Sequence, residues 1–168
     1  MADNYLERRM EDYRNGRLKP RSTKSSTRRA TSQTATLDHM RVYVTAGTST
    51  AGIAIIRHLR QAGCRVAFCD TDNHKGSHTA QQTGSQFHSM TGGYNDISLT
   101  RSIDHVFTHW GGLDVLIDTA DIVSPHIADL LRDRGVALML LHLPDGCGSA
   151  SALLPHVISS LADTSTVL

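Results

Sequence analysis

Residues 42–72 read VYVTAGTSTAGIAIIRHLRQAGCRVAFCDTD, and they hold a complete strand–helix–strand unit. RVYVTA (41–46) is a short β-branched run that predicts a strand. TAGIAIIRHLRQAG (50–63) carries apolar residues at 53, 55, 56, 59 and 62 and stops at Gly63, the periodicity and punctuation of a helix. CRVAFCD (64–70) is a second apolar run of strand length.

The same alternation continues outward. A helix is expected over 73–83 and a strand over SQFHSM (85–90). ISLTRSIDHVFTHW (97–110) predicts an amphipathic helix capped by Asn95 or Asp96, and LDVLIDTA (113–120) a fourth strand. SPHIADLLRDRG (124–135) has Ser at the cap, Pro125 at the first helical position and Gly135 at the end. VALMLLHL (136–143) reads as a continuous apolar strand, the pattern of a fully buried parallel strand, and 149–162 as a final helix. Strands alternating with helices predict an α/β fold. The expectation is one Rossmann-like, doubly wound parallel sheet of about five strands in the order 3-2-1-4-5.

Charge divides the chain. Its 168 residues carry net +1, yet residues 1–41 hold ten basic and five acidic side chains, and residues 42–168 hold seven and eleven. The domain reading is therefore a basic N-terminal arm over 1–40 and a truncated Rossmann-like domain over 41–168. Within the arm, 3–15 predicts a short helix closed by Gly16. A helix that short needs something to dock on, its own domain or a neighbouring subunit; a half-size Rossmann domain leaves sheet edges to cover, so a homo-oligomer with 3–15 across the interface is expected. Residues 17–36 contain six basic residues, nine Ser/Thr and no acid, the composition of a solvated linker. No aromatic residue interleaves those charges, so base stacking has no platform and nucleic acid is not the expected partner. No run of 18 apolar residues is present, so no membrane partner is expected. Three scattered cysteines (Cys64, Cys69, Cys147) make neither a disulfide framework nor a CxxC metal site, and a cytoplasmic location is expected.

The segment 42–72, followed by WGGLDVLIDTAD at 110–121, resembles the short-chain dehydrogenase/reductase family. The likeness implies a dinucleotide turn after the first strand, with NAD as the cofactor. The residues it assigns to cofactor binding are Thr45, Gly47, Thr48, Ser49, Thr50, Gly52, Asp70 and Ala120. Against the family pattern Thr-Gly-x3-Gly-x-Gly, the three glycines fall on Ala46, Thr50 and Gly52, so only the glycine that packs helix on strand is kept. Asp70 stands where the family's ribose-binding acid favours NAD over NADP. It equally reads as the cap of the turn made by Thr71, Asp72 and Asn73. The family's Asp-Val after strand three falls near Gly92-Gly93, and its Asn-Asn-Ala-Gly becomes Asp118-Thr119-Ala120-Asp121.

The resemblance also implies a Ser and a Tyr-x-x-x-Lys pair beyond strand four. The last Tyr here is Tyr94 and the last Lys is Lys75, so no catalytic residue is assigned. Ser149 and Ser151 read as caps of the last helix. The i, i+4 pairs His74/His78 and His105/His109 read as packing or solvent-side rings, with no metal expected. Cys147 beside His142 reads as part of a turn built on Pro144, Asp145, Gly146 and Gly148. The leading expectation is thus a family member without the standard oxidoreductase activity, a pseudoenzyme with weak nucleotide binding or a scaffold role. The alternatives are an NAD-dependent oxidoreductase completed by a partner chain and a nucleic-acid-associated protein using the basic arm.

Overall fold

A computed structural model of the protein describes residues 37–141. The helices expected over 3–15 and 149–162, the linker 17–36, and His142, Cys147, Ser149 and Ser151 lie outside the described residues. Strands β1 (Arg41–Val44), β2 (Arg65–Asp70), β3 (Gln86–Ser89), β4 (Val115–Asp118) and β5 (Ala137–Leu140) alternate with helices α1 (Thr50–Gln61), α2 (Asn73–Thr83), α3 (Asp96–Trp110) and α4 (Pro125–Asp133). All strand pairs are parallel, in the order β3-β2-β1-β4-β5. This is the expected α/β Rossmann-like sheet.

The pleat sorts side chains onto two faces. Val42, Val44, Val66, Phe68, Val115 and Ile117 meet α1 through Ile55, Ile56 and Leu59. Tyr43, Ala67, Cys69 and Leu116 meet α3 and α4 through Leu99, Ile103, Val106, Ile127 and Leu131. A sheet covered on both faces explains why its central strands read as unbroken apolar runs. Each helix starts on a side-chain cap: Ser49 accepts from the N–H of Gly52, Asp72 from Lys75, Asn95 from Ser98 and Ser124 from Ile127. Gly76 lets α2 lie against β3, because a Cβ there would come within 2.3 Å of the Phe87 ring. No helix among the described residues is long and apolar enough to cross a membrane. Burial pushes the free thiol of Cys69 up to about 12, so it packs as a small apolar group.

Several elements are shorter than the apolar runs that predict them. β1 stops at Val44 because Ala46 turns into the left-handed region at φ +44°. β4 stops at Asp118 because its carboxylate gathers the N–H groups of Ala120, Ile122 and Val123 and bends the chain. β5 differs from the fully buried strand expected over 136–143. It covers 137–140, pairs with β4 alone among the described residues, and leaves Leu140 54% exposed.

On the outer strand β3, His88 turns toward α3. Its ring lies edge-on to Tyr43 at 5.7 Å and to His105 at 5.0 Å. Across the sheet its register partner is Cys69. Burial, with charge on His105 and His109, lowers His88 to about 4. An unfolded chain takes a proton at this ring near the usual 6.5, while the folded chain refuses it until about pH 4. Stability conferred by this neutral ring is therefore present above pH 6.5 and is lost as pH falls toward 4, at up to about 1.4 kcal/mol per pH unit. Urea unfolding of His88→Phe is expected to show a shallower loss of stability between those pH values than the parent chain; equal slopes would contradict it.

Candidate functional site

In an open parallel sheet, ligands are met at the carboxyl ends of the strands, beside the point where strand order reverses. Here that point lies between β1 and β4. It is framed by the turn 45–49, the start of α1, Asp70 at the end of β2 and Asp118 at the end of β4.

Thr45 is fully buried and Asp118 is 2% exposed. The Thr45 hydroxyl donates to Asp118 Oδ1 at 2.7 Å and accepts from the N–H of Thr119 at 3.0 Å. The Thr119 hydroxyl returns a bond to the Thr45 carbonyl at 2.7 Å. Asp118 Oδ1 also accepts from Ala120 N–H at 3.2 Å, and Oδ2 accepts from Ile122 and Val123 at 3.0 and 2.9 Å. A buried carboxylate is tolerated when its lone pairs are filled this way. The result is a polar joint that ties the ends of β1 and β4 together.

A second joint ties the turn to β2. Thr48 donates both its N–H (2.9 Å) and its hydroxyl (2.7 Å) to Asp70 Oδ2. Asp70 Oδ1 accepts from Thr71 N–H at 2.7 Å and Asp72 N–H at 3.3 Å. A carboxylate offers about four lone-pair positions, and all four have donors. Burial alone would raise the Asp70 carboxyl, but these donors, led by Thr48, outweigh it and hold the group below its ordinary value. Nearby, Gly47 donates to the Cys69 carbonyl at 3.0 Å. A Cβ on Gly47 would strike the Phe68 ring at 2.4 Å, so this glycine is required by packing.

The residues assigned to cofactor binding therefore do gather at one place, with different exposures. Thr45, Thr48 and Ser49 spend their hydroxyls inside the fold, Ser49 as the α1 cap at 3.0 Å from Gly52 N. Gly52 packs the helix start against the turn, where a Cβ would meet the Ala46 carbonyl at 2.7 Å. Thr50 and Ala120 are exposed. Both residues that replace turn-forming family glycines keep a glycine-like backbone: Ala46 at φ +44° and Asp121 at φ +54°. Asp tolerates that region through local hydrogen bonding, whereas Ala has no such relief. No Lys or Arg occurs in 45–52, 70–73 or 118–123, the segments that frame this end of the sheet.

Sequence reasoning missed the Thr45–Asp118 joint and the Gly47–Phe68 contact. A carboxylate ending an apolar strand (VLID) was the available signal for the first. The rings of His105 and His109 stack at 3.8 Å on α3, and His74 and His78 are exposed on α2. Among the described residues no group of three His, Cys, Asp or Glu is placed to hold a metal. Thr45→Val should cost about 2–3 kcal/mol in urea unfolding, because it strips a donor from a buried carboxylate, while Thr45→Ser should retain most of the stability. Ala46→Gly should raise stability by about 0.5–1 kcal/mol by relieving the left-handed alanine, read as a rise of about 2 °C in Tm. A lower Tm for Ala46→Gly, or a Thr45→Val as stable as the parent, would contradict these joints.

Comparison with known proteins places this geometry in a lineage. A family model described as short chain dehydrogenase matches residues 40–139, more than half of the chain. Among curated proteins none matches. Among solved structures, a ribose-5-phosphate isomerase from Brucella melitensis 16M is 26% identical over 49% of this chain and 32% of its own, at TM-score 0.44. A 3-ketoacyl-(acyl-carrier-protein) reductase from Brucella melitensis, complexed with NADH, is 15% identical over 58% and 44%, at TM-score 0.45. A short chain dehydrogenase from Bacillus anthracis str. 'Ames Ancestor' is 14% identical over 71% and 49%, at TM-score 0.43. The chain spans less than half the length of each of these three. The family match begins one residue before β1 and ends within β5, so it spans the whole parallel sheet, and the chain belongs to the short chain dehydrogenase family.

Proposed function

We propose that this domain is a short-chain-dehydrogenase Rossmann unit whose cofactor turn serves first as a structural joint. It holds NAD weakly and works as a binding or scaffold module without the family's oxidoreductase activity. Fold alone does not confer that activity, so the reading rests on the site. The observation that carries it is the state of Asp70: its two oxygens already accept four donors, two of them from Thr48.

A nucleotide ribose needs free acceptor positions on this acid. To reach Oδ2 it must displace the Thr48 hydroxyl, and that exchange costs roughly what it gains. The pyrophosphate fares no better: Asp121 stands in place of the final glycine of the family motif, and the turn has no basic side chain. The backbone keeps part of the family turn: Gly52 still packs α1 on it, and Ala46 retains its left-handed corner. NAD affinity is therefore limited by side-chain occupancy of the ribose acid.

Calorimetric titration of the full chain with NAD tests this. Thr48→Ala is expected to tighten NAD by about tenfold, because it frees one charge-assisted acceptor position, and Asp70→Ala to abolish the heat. Micromolar NAD binding by the unchanged chain, together with hydride transfer to a carbonyl substrate, would overturn the proposal.

A further inference from the structure

On the outer flank of the sheet, β3 and α3 line an open cleft of about 290 Å³. Its polar lining is Gln86, His88, Ser89, Arg101, Ser102 and His105. Every one of these side chains can donate a hydrogen bond, and none is a carboxylate.

Three of them have their partners within the fold. Ser102 donates to the Ser98 carbonyl at 3.1 Å, and the Ser89 hydroxyl donates to Asn73 Oδ1. The Gln86 amide nitrogen lies 3.3 Å from His105 Nδ1, which makes that nitrogen the acceptor and leaves the His105 proton on Nε2. Arg101 differs from the other described arginines. Arg41, Arg132 and Arg134 pair with aspartates, Arg57 with Gln82, Arg60 with the Cys64 carbonyl, and Arg65 lies over Trp110. Among the described residues Arg101 has no such partner. His88 Nε2 is also buried with no hydrogen-bond partner among them.

Charge completes the argument. His88, His105 and His109 form a contiguous row, edge-on at 5.0 Å and then stacked at 3.8 Å. The groups facing His88 are Tyr43 from β1, Cys69 in register on β2, and His105 with His109 from α3. The neighbouring carboxylates are taken. Asp104 pairs with Arg134 at 2.6 Å, and Asp70, in register with Ser89, is saturated by Thr48, Thr71 and Asp72. The cleft thus gathers one guanidinium and several neutral donors with no carboxylate of its own.

We propose that this cleft is a binding site for a phosphate-type oxyanion, held by Arg101 and His105. Arg101 supplies a forked donor suited to two oxygens of such an anion, and His105 supplies its Nε2 proton.

The test is a histidine side-chain NMR titration of the full chain against inorganic phosphate and against glycerol 3-phosphate, at matched ionic strength with chloride as control. Phosphate is expected to raise the midpoint of His105 by about half a unit or more. Arg101→Gln, at an exposed position with its fold checked by circular dichroism, is expected to weaken phosphate binding by about tenfold or more. Tighter binding of the ester than of inorganic phosphate identifies a phosphate monoester as the ligand; the reverse identifies the free ion. No response of His105 to either probe, or the same response in Arg101→Gln, would overturn the site.

Discussion

The Asp118 carboxylate, buried at the end of β4, sets the terms for the rest of the structure. A charge in that position is affordable only if donors surround it, and the donors come from Thr45 on the far side of the switch point and from the chain that follows. Thr45 must therefore sit level with Asp118, which holds β1 and β4 in register at Val44 and Ile117. The left-handed step at Ala46, the cap at Ser49 and the start of α1 then follow in sequence from that anchored residue. At the opposite end of the same two strands, Arg41 grips Asp114 through its backbone N–H at 2.7 Å and its Nε at 3.0 Å. The central pair is pinned at both ends through a carboxylate, Asp118 by hydrogen bonds and Asp114 by an ion pair with Arg41.

Most of the architecture was legible in the residues. The switch from short apolar runs to 3.6-residue periodicity marks the alternation of strands and helices, and the Asn95-Asp96 pair and Ser124 announced two helix starts by cap chemistry. Strand ends were harder to see. The runs continue past the hydrogen-bonded ladder through Ala46 and Ala120, while β1 stops ahead of the left-handed step at Ala46 and β4 where Asp118 gathers the N–H groups that follow it, features that apolar patterning does not encode.

The candidate site was legible in position and only partly in chemistry. The residues 45–52, 70 and 118–121 do converge, as family register implies. Which of their polar groups remain available depends on partners from other strands. Asp70 shows this well: both roles read from its sequence, ribose acceptor and turn cap, require the same lone pairs, and Thr48 adds a third claim on them. Gly47 carries a similar lesson. It lies out of the family's glycine register, yet it is needed because the Phe68 ring of the neighbouring strand lies beneath it.

The link between Thr45 and Asp118 also bears on how the chain reaches its fold. Parallel neighbours β1 and β2 align Val42 with Val66, a short crossover, whereas β1 meets β4 only after 73 residues have been looped back. The length-dependent part of that closure is about 1 kcal/mol more costly than for the first crossover. The β1–α1–β2 unit is thus the less costly one to close, and the β1–β4 joint the more costly. Until that joint forms, β1 presents one bare edge, and chain collapse competes with pairing to a second molecule.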